Sequence, residues 1–148
     1  MQTISVDVNR DVETCWRAFV DVTELPSWVP GLRRAEILTR VRGLPEEVHF
    51  EFARERATTS PGSGRAGTSP GPLAYTLVYS YDREERVVRW EPKLGKRAGV
   101  TGFVRFEPEG TGTRITYGLE NGDDRGPAER ELGDVRRLAE AFAAWVQR

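Results

Sequence analysis

The C-terminal stretch from Pro127 to Arg148 constrains the fold most, because its pattern predicts one long amphipathic helix. A proline is tolerated in the first turn of a helix, and Gly126 precedes it in a predicted turn. The apolar residues recur at three- and four-residue steps, the spacing of one helical face. They are Leu132, Val135, Leu138, Ala139, Phe142, Trp145 and Val146. A helix of about 20 residues is roughly 30 Å long, so this one needs a large apolar partner surface.

The N-terminal residues predict a strand followed by one or two helices. Thr3 to Val8 alternates apolar and polar residues, as a half-buried strand does. Asn9 is expected to cap the next helix, whose apolar stripe marks a buried face. The stripe consists of Val12, Cys15, Trp16, Phe19 and Val20. A short second helix or turn is expected around Thr23 to Trp28, ended by Pro30 and Gly31.

Six further strands are predicted in the middle of the chain, each with apolar residues at every second position. They cover 34–41, 48–53, 73–81, 88–90, 100–106 and 114–119. Short turns separate most of them, and no helical crossover is present to form a parallel sheet. The predicted fold is therefore α+β: a curved antiparallel sheet of about seven strands, in the order β-α-α-β6-α, with the long helix laid across it.

One segment between the predicted strands differs in composition. Residues 58–72 are rich in Gly, Ser and Pro and contain no apolar residue larger than alanine. Such a segment cannot bury enough surface to offset the entropy of ordering it, so a flexible loop is predicted. A surface extension without a role is the simpler interpretation, and a lid over a cavity is the alternative. With this loop included, the 148 residues form a single predicted domain, 1–148.

The charge balance and the single cysteine limit the partners and the compartment. Lys and Arg number 22 and Asp and Glu 23, so no excess of cations points to a nucleic acid partner. Cys15 is the only cysteine, which excludes an internal disulfide. The N-terminus lacks a signal-peptide core, and no run of 18 apolar residues predicts an integral membrane segment. We therefore expect a cytoplasmic protein.

Candidate catalytic and metal-binding groups are few. His49 is the only histidine, and it alternates with Val48 and Phe50, so it should point away from them. No metal-ligand, P-loop or dinucleotide-binding pattern occurs, and we expect no metal and no cofactor. The sequence assigns no catalytic residue.

Several segments together resemble the START-like, helix-grip (SRPBCC) superfamily, in particular its polyketide cyclase/dehydrase and lipid-transport branch. The resemblance covers nearly the whole chain except 58–72, and its motifs specify a fold and not a reaction. The matching segments are Val12-x-x-Cys15-Trp16-x-x-Phe19-x-Asp21, Leu25-Pro26-x-Trp28-x-Pro30-Gly31, the strand containing Trp90, the run from Gly102 to Thr116, and the final helix.

The resemblance implies a cavity between the curved sheet and the C-terminal helix. The function it favours is binding, as a carrier or sensor, of a hydrophobic or aromatic small molecule such as a lipid or polyketide. The composition agrees, because bulky aromatic residues recur on the strand faces while the helix offers small ones: Ala139, Ala141, Ala143 and Ala144. The predicted ligand-binding residues are Trp28, Phe50, Phe52, Tyr75, Tyr79, Trp90, Phe106, Leu138 and Phe142.

Two alternative functions stay open at the level of sequence. The first is a polyketide cyclase, aromatase or dehydratase-like enzyme, in which tyrosine hydroxyls in the cavity would orient a substrate. The second is a protein-interaction module or homodimer without a small ligand. An exposed apolar patch around Leu25, Trp28 and Leu32 would then be the working surface.

Overall fold

The computed structural model of the chain describes residues 2–52, 73–93, 100–121 and 134–148. The predicted loop at 58–72 lies outside these ranges. The elements are β1 (Gln2–Val8), α1 (Val12–Val20), a 3-10 helix (Val22–Ser27), β2 (Leu32–Ile37), β3 (Arg40–Val41), β4 (Leu44–Pro45), β5 (Glu47–Phe52), β6 (Leu73–Asp82), β7 (Val87–Pro92), β8 (Val100–Glu109), β9 (Gly112–Asn121) and α2 (Val135–Val146).

Seven of the strands form one curved antiparallel sheet, as predicted. The strand order is β1-β9-β8-β7-β6-β5-β2, so β1 and β2 are the edges. The chain crosses from one edge to the other through α1 and the 3-10 helix, and the remaining strands then return as a meander. The short strands β3 and β4 pair only with each other.

The strand predicted over 34–41 is interrupted in the structure. β2 ends at Ile37, and the amides of Leu38 and Thr39 both donate to the Glu47 carbonyl oxygen, at 2.8 and 3.4 Å. This shared acceptor turns the chain out of the sheet and into the β3–β4 ribbon. The Tyr81 hydroxyl donates to the Pro45 carbonyl oxygen at 2.5 Å, which fixes the ribbon to the sheet.

Asp11, and not Asn9, caps α1. The Asp11 backbone is extended, and its carboxylate accepts a hydrogen bond from the Thr14 amide at 3.3 Å. A hydrogen bond from the Thr14 side chain, together with this one from its amide, holds the pKa of the Asp11 carboxyl below its usual value. The Asn9 amide instead donates to Gln147 Oε1 at 2.7 Å, so Asn9 connects the start of α1 to the end of α2.

The described part of the C-terminal helix is shorter than predicted. α2 begins at Val135, because Asp134 is extended and its carboxylate caps the Arg137 amide at 3.1 Å. Its 12 residues correspond to about 18 Å. The predicted start at Pro127 lies outside the described residues. The predicted buried face is confirmed for Leu138, Ala139, Phe142 and Val146. Val135 and Trp145 are half-buried, and Leu132 lies outside the described residues.

The alanines of α2 do not all face the sheet. Ala139 is buried, Ala141 and Ala143 are half-buried, and Ala144 is exposed. Ala141 and Ala143 still pack against the core, so the expectation that the four alanines lie over the sheet fails for Ala144. The helix packs on β1 and β9. Neither α1 nor α2 is long and apolar enough to cross a membrane, a finding restricted to the described residues.

Gly102 controls how close the Trp90 ring comes to the sheet. The two residues are cross-strand partners in β8 and β7. A Cβ atom on Gly102 would lie 2.5 Å from Trp90 Cζ2 and 2.8 Å from the Gly118 carbonyl oxygen. The missing side chain therefore provides the space that the indole ring occupies.

We predict that Gly102→Ala lowers the free energy of unfolding by about 1–3 kcal/mol, because the added methyl group displaces a buried ring. Gly118→Ala is the matched control. Its Cβ would meet the ring of Phe103, which is half-buried and can turn toward solvent, so the loss should be smaller. Urea denaturation of both variants measures the difference. Equal losses would contradict a special role for the space beside Trp90.

Candidate functional site

The apolar cavity lies where the sheet, the 3-10 helix and α2 meet. Residues from seven elements and the segment after the 3-10 helix converge on it, because alternate residues of the curved strands point toward the two helices. The lining residues are Phe19, Leu25, Trp28, Val29, Phe50, Leu77, Tyr79, Trp90, Tyr117, Leu119 and Leu138. The position is the one expected from the resemblance, between the sheet and the C-terminal helix.

The volume of this cavity is only about 30 Å³. One water molecule needs roughly 10–15 Å³ on this measure, so there is room for about two or three waters. Sites for drug-sized molecules have volumes of roughly 300–1,000 Å³. The described side chains therefore hold the cavity in a nearly closed conformation.

The aromatic rings around the cavity account for its small volume. Phe19 of α1 projects into the space between sheet and helix, and its ring centre is 5.8 Å from that of Trp90 and 6.2 Å from that of Tyr117. The Trp90 ring also contacts Tyr79 at 5.9 Å. These distances are typical of packed aromatic pairs, so the rings fill volume that smaller side chains would leave empty.

The nine predicted site residues have three different positions. Trp28, Phe50, Tyr79, Trp90 and Leu138 line the cavity. Phe52, Phe106 and Phe142 are buried but do not line it. The side chain of Tyr75 lies outside what the structure describes, and its backbone pairs with that of Phe50. A role of these residues in ligand binding remains a prediction.

Phe142 lies directly behind the cavity wall. Its ring centre is 5.1 Å from that of Trp28 and 5.3 Å from that of Phe19, and both of these residues line the cavity. Phe106 contacts Phe19 at 5.7 Å from the same side. Both phenylalanines therefore set the positions of lining rings without reaching the cavity themselves.

Six lining residues were not among the predicted site residues: Phe19, Leu25, Val29, Leu77, Tyr117 and Leu119. Three of them were detectable from the alternation, since Leu77 shares a strand face with Tyr79, and Tyr117 shares one with Leu119. Phe19 lies on the predicted buried stripe of α1, but periodicity alone does not indicate which strands a helix meets. Val29 lies in an irregular segment and had no such signal.

The segment around the 3-10 helix is buried. Leu25, Trp28 and Leu32 are 4%, 7% and 6% exposed. The exposed apolar patch expected there is therefore absent, because the segment packs on β2 and its side chains complete the core. A homodimer through another surface remains a prediction.

The polar side-chain groups of the described cavity wall are two tyrosine hydroxyls and two indole N–H groups, those of Trp28 and Trp90. Tyr79 and Tyr117 are both buried, and none of the described lining residues carries a charge. Burial raises the pKa of the Tyr117 hydroxyl well above its ordinary value of 10.0. Tyr117 therefore stays protonated at neutral pH and can donate a hydrogen bond.

Trp28 carries a buried N–H group that has no partner. Among the described residues, Trp28 Nε1 and Arg86 Nε are the buried side-chain nitrogen or oxygen atoms without a hydrogen bond. A buried donor without an acceptor costs roughly 1–3 kcal/mol, so such groups call for an explanation. Arg86 is fixed by its other nitrogens, which bond Glu13 and the Arg83 carbonyl oxygen. The side chain of Trp28 has no second polar group that could fix it in the same way.

His49 is on the other face of the sheet, as its alternation with Phe50 predicts. Its Nδ1 is 3.4 Å from Thr76 Oγ1, and its Nε2 is 3.7 Å from Glu51 Oε1. The only histidine therefore does not reach the cavity.

A wider groove of about 320 Å³ lies on the surface between the end of α1 and the β3–β4 ribbon. Arg17, Asp21 and Arg40 contribute to its walls, beside apolar residues such as Ile37 and Leu44. Because it is open to solvent and carries charges, it lacks the enclosed apolar character typical of a lipophilic site.

Solved structures of other proteins share the fold. A START superfamily protein from Mycobacterium smegmatis is 17% identical with a TM-score of 0.67, over 98% of this chain and 95% of that chain. The Zhui aromatase/cyclase of a Streptomyces species is 14% identical with a TM-score of 0.66, over 99% and 93%. A STAR-related lipid transfer protein from Xanthomonas axonopodis is 14% identical with a TM-score of 0.66, over 99% and 85%. At these identities the likeness concerns the fold alone.

The sequence itself matches the model of one family, described as polyketide cyclase/dehydrase and lipid transport, from residue 2 to residue 148. The match includes every element of the sheet and both helices that enclose the cavity. The chain therefore belongs to the polyketide cyclase/dehydrase and lipid transport family.

Proposed function

We propose that the protein binds one neutral, apolar small molecule in the cavity between the sheet and α2, as a carrier or sensor. The observation that carries this proposal is the chemistry of the wall. Its described residues are aromatic or aliphatic, and their polar groups are limited to the hydroxyls of Tyr79 and Tyr117 and the indole N–H groups of Trp28 and Trp90. An ion buried there would lose its hydration without a charged partner, so a neutral ligand is favoured.

Binding requires the cavity to open, because about 30 Å³ is too small for such a ligand. The closed conformation would then be the ligand-free one, and the ligand would stabilise a less populated open one. A ligand that buries roughly 300 Å² of apolar surface gains about 7.5 kcal/mol at about 25 cal/mol per Å². This gain has to offset both the rotation of a few buried side chains and the roughly 4–15 kcal/mol of translational and rotational freedom that association costs, so affinity depends on how little the rings must move.

The neutral dye N-phenylnaphthylamine tests the proposal directly, since its fluorescence rises in apolar surroundings. We expect saturable binding at one site per chain and a dye-dependent increase in the thermal unfolding midpoint. The anionic anilinonaphthalene sulfonate should bind more weakly. Preference for the anion, or no saturable binding of either dye, would contradict the proposal.

Leu138→Ala tests whether the closed volume limits affinity. Leu138 is 1% exposed and lines the cavity from α2, so its truncation should cost roughly 2–5 kcal/mol of stability while tightening dye binding, because fewer side chains must move. Leu38→Ala is the matched control, since Leu38 is 50% exposed. It should leave dye affinity unchanged and change stability by no more than about 0.5 kcal/mol. Urea denaturation and dye titration measure both effects, and unchanged dye affinity in a folded Leu138→Ala protein would contradict the idea.

A second candidate is an enzyme that cyclises or dehydrates a polyketide-like substrate. The observation in its favour is that Tyr79 and Tyr117 bring two hydroxyls to an apolar cavity, where proton donors can orient a carbonyl group. The raised pKa of Tyr117 suits a donor and opposes a general base, so this hydroxyl would polarise a substrate without removing its proton.

The raised pKa of Tyr117 has a consequence for stability. The unfolded chain loses this proton near pH 10, whereas the folded protein keeps it, so stability is fully present below pH 10 and is lost as the pH rises above it. We predict that Tyr117→Phe makes the decline shallower by about 1.4 kcal/mol per pH unit. Urea unfolding between about pH 9 and about pH 11.5 measures the slopes, with the neutral-pH values as the control. Identical slopes would mean that Tyr117 ionises equally in both states.

A further inference from the structure

Among the described residues of the cavity wall, Trp28 carries the one side-chain hydrogen-bond donor that is buried without an acceptor. The residue is 7% exposed, and its Nε1 atom has no partner. An indole N–H group can only donate a hydrogen bond, so it can be satisfied only by an acceptor such as an oxygen atom.

The neighbours of the Trp28 ring do not provide that acceptor. Its ring is packed against Phe19, with centres 6.0 Å apart, and against Phe142, with centres 5.1 Å apart. Both are hydrocarbon rings. The backbone amide of Trp28 is already bonded to the Leu25 carbonyl oxygen at 3.1 Å, which fixes the residue at the end of the 3-10 helix. Among the described residues no acceptor reaches Nε1, and because Trp28 lines the cavity, a ligand bound there can supply the missing acceptor.

We infer that Trp28 determines ligand specificity by donating its Nε1–H hydrogen bond to a neutral oxygen of the ligand. This inference rests on the proposed function and extends it by naming the ligand class: an apolar skeleton carrying a ketone, ester or ether oxygen. The donor is already unpaired in the closed cavity, so a hydrocarbon leaves it unchanged, whereas a ligand of the same shape with an acceptor gains a hydrogen bond. The site therefore favours the ligand that carries the oxygen.

Tetralone and tetralin provide a matched pair of ligands, because they share one bicyclic skeleton and differ in a ketone. Each would displace N-phenylnaphthylamine from the full-length protein, and the ratio of their affinities isolates the hydrogen bond. We expect Trp28→Phe to lower the affinity for tetralone by about three- to tenfold while leaving that for tetralin within about twofold. The preference for the ketone therefore falls by a similar factor.

Trp90→Phe is the matched control variant. Trp90 lines the same cavity, and the substitution from tryptophan to phenylalanine is the same. Its indole nitrogen, however, is not among the buried atoms without a partner. It should weaken both ligands by similar factors and leave their ratio unchanged. An unchanged ratio in Trp28→Phe, or an equal change in the two variants, would overturn the inference about Trp28.

A measurement on the unmodified protein keeps the inference testable if Trp28→Phe does not fold. The protein labelled with nitrogen-15 at its 4 tryptophans gives one indole N–H signal for each. Tetralone should shift one of them downfield, as a new hydrogen bond does, and tetralin should not. If both ligands bind and neither gives this shift, the inference about Trp28 fails while the proposed function stands. If N-phenylnaphthylamine binds but neither ligand displaces it, the inferred ligand class is wrong while the proposed function stands. If the dye does not bind either, the proposed function fails as well.

Discussion

The ring of Phe19 is the contact on which the rest of the structure depends. It joins α1 to the sheet, to α2 and to the segment after the 3-10 helix, so all layers of the fold meet at one side chain. Five aromatic rings surround it, with centres 5.3–6.2 Å away: Trp28, Trp90, Phe106, Tyr117 and Phe142. A concave sheet covered by one helix would leave a gap, and this cluster fills most of it.

The same packing explains why the cavity is both present and nearly closed. The sheet curvature and the short α2 create the space, and the rings from α1 and from the Trp28 segment occupy it. What remains has a volume of about 30 Å³ with few polar groups and no charge among its described walls. A site of this kind can accept a ligand only by exchanging contacts between aromatic rings for contacts with the ligand. Affinity then depends on how easily those rings move.

Much of the architecture followed from periodicity in the sequence. Alternation of apolar and polar residues predicted the strands, and it also selected Tyr79 and Trp90 as inward-facing residues, which the structure places on the cavity wall. The buried face of α2 followed from helical spacing in the same way. These patterns reflect burial on one face of an element, which each segment encodes locally.

The sequence-based predictions that were wrong concern properties that no single segment encodes. Asn9 and Asp11 are equally good caps by residue type, and the choice depends on where α2 ends, since Gln147 engages Asn9. The open volume expected from the alanines depended on ring positions that come from α1. Phe142 was expected in the wall and lies one layer behind it, because Phe19 and Trp28 stand in front. Such details arise from tertiary packing and require coordinates.

Native mass spectrometry of freshly purified protein, compared with the denatured mass, shows directly whether the cavity takes up a ligand. We predict that one neutral molecule, either co-purified from the cell or added from a set of apolar ketones, increases the native mass and is lost on denaturation. The experiment uses the protein without any substitution. A native mass equal to the denatured mass, both as purified and after incubation with these ketones, would contradict the claim that the aromatic cavity opens for a ligand.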